Sequence, residues 1–236
     1  MATEAAGVDM LSIDYAENLD DLREAAPSIF FNVAMPLTDF ASADDIMRGA
    51  MDAMSRGADG IYYCGPLAWV EQLAKADIPV MGHAGLVPRK SLWIGGLRAF
   101  GKTIDEAKKI WGHVRDLENA GAYAVELEVV PTEVTRVISE NTSLVTSSIG
   151  SGPHADVIYQ FVQDILGETD PLPRHAKAYD DFADRYFTLQ DARINAIKSF
   201  VAEVQAGEFP NTEHVVDDRY DVAADLSNFI ERSRPV

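Results

Sequence analysis

The 236-residue sequence contains a single cysteine, Cys64, which excludes a disulfide scaffold and a cysteine-based metal cluster. Positive charge is also scarce, because 20 lysines and arginines stand against 38 aspartates and glutamates, giving a formal charge of −18. A chain this acidic repels phosphate backbones, so we expect no nucleic-acid partner. No apolar run reaches the roughly 20 residues that cross a bilayer, and the acidic N-terminus has no cationic leader. These absences favour a cytoplasmic enzyme with no membrane partner.

Short apolar runs alternate with helical patterns along the chain. Thr103 and Glu106 form a capping box before one helix, Ser42 caps another, and a third is expected from about Leu189 to Ala206. That third helix is expected to bury Ile194, Ile197, Val201 and Val204. Repeated βα units predict a parallel sheet, either open or closed into a barrel. The six candidate strands are Val8–Ile13, Ser28–Val33, Gly60–Cys64, Pro79–His83, Ala122–Leu127 and Leu144–Ile149.

The domain organisation is predicted to be simple. Residues 1–214 are expected to form a single barrel domain. Residues 215–236 carry Asp217, Asp218, Asp221 and Asp225, and are expected to form an acidic C-terminal tail or a peripheral helix.

The segment Gly96–Thr103, GLRAFGKT, has the spacing of a phosphate-binding loop. Phosphate binding needs a strand directly before the loop, so that backbone N–H groups converge on the anion. The preceding SLWIGG is a weak strand. A glycine-rich turn followed by the Thr103 cap is therefore the preferred interpretation.

Several polar residues lie at or near the ends of candidate strands. Glu126 and Glu128 are two apart, so both side chains point to the same side of the sheet. A carboxylate at the C-terminal end of a barrel strand is typical of a base or a ligand. His83 can donate to a substrate oxygen, and Asp14 can reach a metal or a substrate. The structural alternatives are salt-bridged acids, a core histidine and a helix cap, and Cys64 is expected to be a small buried apolar residue.

Taken together, these residues resemble the ketopantoate hydroxymethyltransferase family from about Gly7 to His214. The resemblance implies a (β/α)8 TIM-type barrel of the phosphoenolpyruvate mutase and isocitrate lyase superfamily. The matching blocks occur in the same order in both: PVMGHAGLVPRKSLWIGG, GKTIDEAKKI, LENAGAYAVELEVVP, IGSGPHAD and VAEVQAGEFPNTEH.

The family's activity is the transfer of a one-carbon unit from methylenetetrahydrofolate to the enolate of a 2-oxo acid such as 3-methyl-2-oxobutanoate, in pantothenate biosynthesis. The resemblance implies that Glu128 is the base and that His83 contacts the substrate. It places Asp14 at the first of two aspartates that bind Mg²⁺. It also implies a small-molecule 2-oxo acid substrate and a homo-oligomer.

The sequence departs from the family at the metal-binding end of the site. Ala34 stands at the second metal-binding aspartate, and Cys64 at a glutamate near the metal. Tyr62 replaces a substrate-binding lysine, and Tyr15 replaces the serine after the first aspartate. Asn32 lies two positions before Ala34 on the same face. We therefore expect substrate contacts from Tyr15, Tyr62 and Asn32, with Asp14 as the remaining metal ligand.

The match also implies a barrel that lacks or replaces its first strand, because the family has a strand and helix before the region matching Val8–Ile13. Three functions remain open. The first is an active hydroxymethyltransferase. The second is a diverged lyase or aldolase of the same superfamily with an altered metal and substrate site. The third is a non-catalytic barrel subunit.

Overall fold

Seven parallel strands form one sheet whose spatial order follows the chain, β1 to β7, in a computed structural model that describes residues 2–16, 18–216 and 222–232. The strands are β1 Met10–Asp14, β2 Phe30–Ala34, β3 Gly60–Tyr62, β4 Val80–Gly85, β5 Ala124–Glu128, β6 Val145–Ile149 and β7 Val157–Ile158. The helices are α1 Ala2–Ala5, α2 Leu19–Ala25, α3 Ala43–Ser55, α4 Leu67–Lys75, α5 Ile104–Asn119, α6 Thr132–Ser139, α7 Val162–Leu166, α8 Phe182–Ala206 and α9 Val222–Arg232. A 3-10 helix, Pro88–Ile94, follows β4.

This sheet confirms the predicted α/β fold: parallel strands in sequential order are the pattern of a barrel, and the described residues form seven strands where a (β/α)8 barrel has eight. Helix α1, rather than a strand, precedes β1 in the described residues. All six predicted strands are present, with ends shifted by a few residues. The additional strand, β7, has two residues, too few for alternation or propensity to indicate it.

Side chains that hydrogen-bond to the first turn fix where α3 and α5 begin. The Ser42 hydroxyl accepts a hydrogen bond from the backbone N–H of Asp45 at 3.2 Å, and Thr103 does the same for Glu106 at 3.2 Å. Each bond satisfies a donor that the helix cannot satisfy internally. Both predicted helix starts are confirmed.

Alternation along the strands divides the sheet into two faces. One face carries apolar side chains that are buried in the main core: Phe31, Val33, Ile61, Val80, Val125 and Leu127. Complete burial of a side chain of this kind stabilises the fold by about 1.5–3 kcal/mol. The intervening positions point to the opposite face, which carries Asn32, Tyr62, His83, Glu126 and Glu128. The polar groups are thus gathered on the face away from the main core.

The chain contains two compact units. The first runs up to Ile165 and includes Leu172–Lys177; the second comprises Leu166–Pro171 and the chain from Ala178. Helix α8 confirms the predicted third helix and its end at Ala206, but it begins at Phe182 rather than at about Leu189, and its first turn is capped by Asp181. The predicted burial of its apolar face is wrong, because Ile194, Ile197, Val201 and Val204 are all exposed. A 3.6-residue period shows that a helix has an apolar face, but it does not identify a surface that covers that face.

The C-terminal region contains α9, which has no buried residue. Asp217, Asp218 and Asp221 lie outside the described residues, whereas Asp225 lies in the first turn of α9. Among the described helices, none has both the length and the apolar character to span a membrane.

Candidate functional site

Strands β4 and β5 place His83 beside two carboxyl groups. His83 is in register with Glu126, and Gly85 is in register with Glu128. The Nε2 atom of His83 lies 3.1 Å from Oε2 of Glu128 and 2.9 Å from the carbonyl oxygen of Leu86. The sequence predicted that Glu126 and Glu128 share a face, and the structure adds that His83 lies between their strand and β3.

Tyr62 reaches the other side of the imidazole from β3. Its hydroxyl oxygen lies 2.5 Å from Nδ1 of His83 and 3.4 Å from Oε1 of Glu126. Both ring nitrogens of His83 therefore have hydrogen-bond partners. The four side chains form a continuous chain of contacts, Glu126–Tyr62–His83–Glu128, which we call the carboxyl–imidazole chain.

The two carboxyl groups of this chain differ in their surroundings. Glu126 is 6% exposed, and burial raises its pKa; the charge of His83 and the hydrogen bond from Tyr62 act in the opposite direction, and the charge of Glu128 adds to the rise. Burial likewise raises the pKa of the Tyr62 hydroxyl, helped by the charge of Glu126. The Glu128 side chain is more accessible, at 16% exposed, and lies at the end of its strand. The two neighbouring carboxyl groups therefore differ in their access to solvent.

The turn after β5 holds Glu128 in place. Val129 has a φ of +50°, a left-handed conformation that β-branched residues rarely adopt. Its N–H donates to Ile149 at 2.9 Å, which ties the turn to β6. The Ser151 hydroxyl accepts from the N–H of Val130 at 2.9 Å and donates to the carbonyl of Leu127 at 2.7 Å. These bonds fix the backbone on both sides of the strained residue.

Gly85 allows β4 to approach this turn. Its φ is +91°, and a Cβ at this position would lie 2.5 Å from the carbonyl oxygen of Glu128. A side chain is excluded by both the backbone conformation and the close contact. The same carbonyl accepts the N–H of Leu86 at 2.9 Å. Glycine at position 85 therefore brings the Leu86 carbonyl, and with it His83, close to Glu128.

The other predicted site residues lie apart from the carboxyl–imidazole chain. Asn32 is fully buried and contacts Met81 and the hydroxyl of Tyr123. The hydroxyl of Tyr15 donates to Asp52 at 2.6 Å. Asp14 is exposed at the end of β1.

Ala34 and Cys64 stand where the resemblance places two residues at or near the metal. Ala34 is the register partner of Asp14 on β2 and contributes no ligand. Cys64 is half-buried, and burial raises the pKa of its thiol. Of the predicted substrate and metal residues, Tyr62 is thus the one that the structure brings to His83 and Glu128.

The chain matches the model of the ketopantoate hydroxymethyltransferase family over residues 5–212. A 3-methyl-2-oxobutanoate hydroxymethyltransferase from Pyrobaculum aerophilum is 34% identical over 205 residues, which cover 85% of this chain and 76% of the relative. This chain belongs to the ketopantoate hydroxymethyltransferase family. A second relative with the same name, from Pyrococcus abyssi, is 36% identical over 176 residues, or 73% of this chain and 60% of the relative.

Among solved structures, a putative deoxyribose-phosphate aldolase from Coccidioides immitis overlaps 62% of this chain and 63% of its own, with a TM-score of 0.42 and 14% identity. The carboxyl transferase domain of Rhizobium etli pyruvate carboxylase overlaps 56% of this chain and 24% of its own, with a TM-score of 0.42 and 15% identity. The fold assignment rests on the strand order described above.

The family's Mg²⁺ ion does not fit the residues present at its expected position. Mg²⁺ takes near-octahedral oxygen ligands, and Asp14 faces Ala34 where a second carboxylate would be needed. Elsewhere in the described residues, the ligand atoms of His83, Glu126 and Glu128 lie within 4.8 Å of one another, a spacing that a metal ion could bridge. That set includes a nitrogen donor, the imidazole of His83. It therefore does not reproduce the oxygen set that Mg²⁺ prefers.

Sequence reasoning missed Tyr159, which follows β7. Burial raises the pKa of its hydroxyl, and the charges of Glu126, Asp14 and Glu128 raise it further. Tyr159 therefore lies within electrostatic range of both Asp14 and the two glutamates. Its position just after a strand was the available signal, but β7 itself was too short to predict.

The segment Gly96–Thr103 has the spacing of a phosphate-binding loop, but its backbone N–H groups bind a side chain of the protein. The 3-10 helix Pro88–Ile94, and not a strand, lies before it. The carboxylate of Glu106 accepts hydrogen bonds from the N–H groups of Gly101 and Lys102 at 3.0 and 2.9 Å. Arg98 also bonds to Glu106, and together these contacts lower the pKa of Glu106 to about 2. An internal anion thus occupies the amides that would otherwise face a phosphate.

Proposed function

We propose that this chain transfers a one-carbon unit from methylenetetrahydrofolate to the enolate of a 2-oxo acid, of which 3-methyl-2-oxobutanoate is the example named in its relatives. The observation that carries the proposal is the Glu128 carboxylate at the end of β5, 3.1 Å from Nε2 of His83. Proton abstraction next to a carbonyl needs a base and a donor to the developing oxyanion. Family membership supports the same reaction.

The proposed chemistry begins at C3 of the 2-oxo acid. The C3–H bond breaks, its proton passes to Glu128, and the electron pair forms the C2–C3 double bond while charge moves to the keto oxygen. As Glu128 takes the proton, the Nε2–H of His83, which lies 3.1 Å from Glu128, donates its hydrogen bond to that oxygen instead. Water cleaves the two C–N bonds of the folate's methylene bridge, so that tetrahydrofolate leaves and the methylene carbon becomes the carbonyl carbon of formaldehyde. C3 of the enolate then attacks that carbon, the new carbon–carbon bond forms as the C=O π bond breaks, and the resulting alkoxide takes the proton from Glu128. No step is assigned to Mg²⁺, because Ala34 replaces the second of the two aspartates expected to bind it.

A cavity of about 260 Å³ lies against Ala84 and Gly85, directly after His83. Trp93 and Phe100 supply aromatic surface to its wall, and Lys90 and Lys109 supply positive charge. Its lining also includes Ile110 of α5 and, with Ala84, belongs to the side of the main core, whereas Glu128 lies on the opposite face of the sheet. We therefore assign no substrate to this cavity.

The replacement of family residues that bind the metal and the substrate favours a second function. Ala34 and Tyr62 stand where the family has a metal-binding aspartate and a substrate-binding lysine, so a diverged lyase or aldolase remains the alternative reaction. A non-catalytic barrel subunit is the other alternative. Cytoplasmic location, a homo-oligomer and a barrel domain spanning residues 1–214 are also proposals, and family membership supports them.

The test is deuterium exchange at C3 of 3-methyl-2-oxobutanoate in D₂O, followed by proton NMR with and without added Mg²⁺ and then with methylenetetrahydrofolate. We expect exchange that Glu128→Gln abolishes and that Glu133→Gln, an exposed glutamate of α6, leaves unchanged. Exchange without transfer to any folate donor would favour the lyase or aldolase. Absence of both under every metal condition would refute the proposed enzyme.

A further inference from the structure

We propose that His83, Glu126 and Glu128 form a binding site for a divalent ion of the Zn²⁺ class, on β4 and β5 rather than at Asp14 on β1. The ligand atoms of these three side chains lie within 4.8 Å of one another, on two strands that pair directly. The inference goes beyond the proposed function, because binding of the ion needs neither the 2-oxo acid nor the folate.

The carboxyl groups of this site lack a balancing cation from the protein. His83 and Glu126 are buried, and Glu128 is largely so. Among the described residues, no lysine or arginine lies within ion-pair distance of either glutamate. Buried carboxylates are usually paired or bind a metal ion, because water no longer solvates their charge. An ion between the two glutamates supplies the missing positive charge.

The Nε2 atom of His83 and the Oε2 atom of Glu128 are spaced as two ligands of one ion. They lie 3.1 Å apart. Two ligands that are each about 2.1 Å from an ion lie about 3.0–3.4 Å apart at angles of about 90–109°. The carbonyl oxygen of Leu86, 2.9 Å from the same nitrogen, adds an oxygen donor beside them. This spacing allows the nitrogen and the carboxylate to share an ion without a change in the backbone.

The other ring nitrogen of His83 has a hydrogen-bond partner of its own. Nδ1 lies 2.5 Å from the hydroxyl oxygen of Tyr62, which is 3.4 Å from Oε1 of Glu126. Histidines that bind metal almost always donate their second N–H to an oxygen atom, which fixes the orientation of the ring. When Nε2 binds the ion, Nδ1–H donates to Tyr62 and Tyr62 donates to Glu126. Tyr62 is thus a positioning residue for the ligand nitrogen.

An unpartnered hydroxyl on β6 independently indicates a ligand beside Glu126. Ser147 is the register partner of Glu126, so its side chain lies on the same face of the sheet. Its hydroxyl oxygen is buried and has no hydrogen-bond partner among the described residues. Buried hydroxyl groups in native proteins are nearly always hydrogen-bonded. A water bound to the ion, at a position that the protein ligands leave open, would satisfy this hydroxyl.

The donor set favours Zn²⁺ over Mg²⁺. Zn²⁺ binds imidazole nitrogen and carboxylate oxygen together, whereas Mg²⁺ takes near-octahedral oxygen ligands. Three protein ligands also leave a position for water, as in sites where zinc remains accessible. An ion bound here takes the Glu128 carboxylate and the Nε2 atom of His83, which the proposed proton abstraction also uses. Zn²⁺ binding and that reaction therefore exclude each other.

Zn²⁺ binding is tested on untagged protein, freed of metal with a chelator, by titration calorimetry and by the melting temperature. We expect one Zn²⁺ per chain, a higher melting temperature with Zn²⁺, and no response to the same concentration of Mg²⁺. His83→Gln should abolish binding. Glu126→Gln and Glu128→Gln should each weaken it by more than about 100-fold, and Tyr62→Phe by about 10–100-fold, because a ligand matters more than the residue that orients it.

The matched control is Glu133→Gln, which alters an exposed glutamate 3.9 Å from His154 and should leave Zn²⁺ affinity unchanged. Circular dichroism confirms that each variant is folded. If His83→Gln does not fold, Glu128→Gln at the accessible end of β5 decides the same point. Unchanged Zn²⁺ affinity in either variant would overturn the inference, as would equally tight binding of Mg²⁺.

The binding measurement is independent of the proposed reaction, because it contains no substrate. Absence of C3 exchange would refute the proposed function alone, whereas absence of Zn²⁺ binding would refute this inference alone. Where both hold, one equivalent of Zn²⁺ should abolish C3 exchange and a chelator should restore it. Undiminished exchange by the Zn²⁺-loaded protein would show that the ion binds elsewhere.

Discussion

Replacing Ser151 with alanine tests whether the turn beneath Glu128 depends on one buried hydroxyl. Ser151 is 0% exposed, and its side chain both accepts from Val130 and donates to Leu127. The alanine variant leaves the Val130 N–H without its side-chain acceptor in a residue that is 2% exposed. An unsatisfied buried donor costs about 1–3 kcal/mol.

The expected loss for Ser151→Ala is therefore about 2 kcal/mol in the free energy of unfolding. For a chain of this length, each kcal/mol lowers the melting temperature by about 2–4 °C, so the shift should be about 4–8 °C. Calorimetry and urea unfolding measure both quantities. The C3 exchange rate should also fall, because the Val129 turn would no longer be held on both sides.

Ser55→Ala is the matched control. The Ser55 hydroxyl donates to the carbonyl of Asp52 at 2.8 Å, but this contact is exposed to solvent. Its loss should change stability by no more than about 0.5 kcal/mol. Equal melting temperatures for Ser151→Ala and the unmodified protein would refute the role assigned to Ser151.

Two further predictions use Gly82, Gly112 and Glu126. Gly82→Ala should lower stability by about 1–3 kcal/mol because a Cβ would lie 2.5 Å from Leu117, whereas Gly112→Ala, which points into open space on α5, should raise it by about 0.5–1 kcal/mol. Urea midpoints measure both, and shifts in the same direction would contradict the packing argument. The native pKa of Glu126 is raised above its ordinary value of 4.5, so the native state retains a proton that the unfolded chain releases. Its contribution to stability is present below that value and declines as pH rises through the native pKa. Glu126→Gln should remove this decline, and identical pH profiles of unfolding free energy would show that Glu126 has no raised pKa.

Local features of the fold could be predicted because their causes are local. The caps at Ser42 and Thr103 depend on a side chain and an N–H three residues away, and both are observed. The alternation that gives Glu126 and Glu128 a common face needs only the geometry of one strand. Helix α8 was recognised from its periodicity for the same reason, but burial of its apolar face requires a second surface.

The contact between Tyr62 and His83 could not be predicted from local sequence. It joins residues 21 positions apart on two strands, and a shift of one residue in register would place them on opposite faces. Resemblance to a family predicts site residues only at positions where the family itself has ligands. The strand pattern predicts Glu126 as an acid on a strand, but its contact with Tyr62 depends on the pairing of β3, β4 and β5.

The contacts of Glu106 bear on what a glycine-rich motif encodes. A segment with the spacing of GLRAFGKT points a few backbone N–H groups toward one position. Any oxyanion of suitable size can accept their hydrogen bonds there. Here the oxyanion is the side chain of Glu106, which also lies in the first turn of α5. A loop with this spacing therefore needs no bound nucleotide to satisfy its amides as long as Glu106 is present.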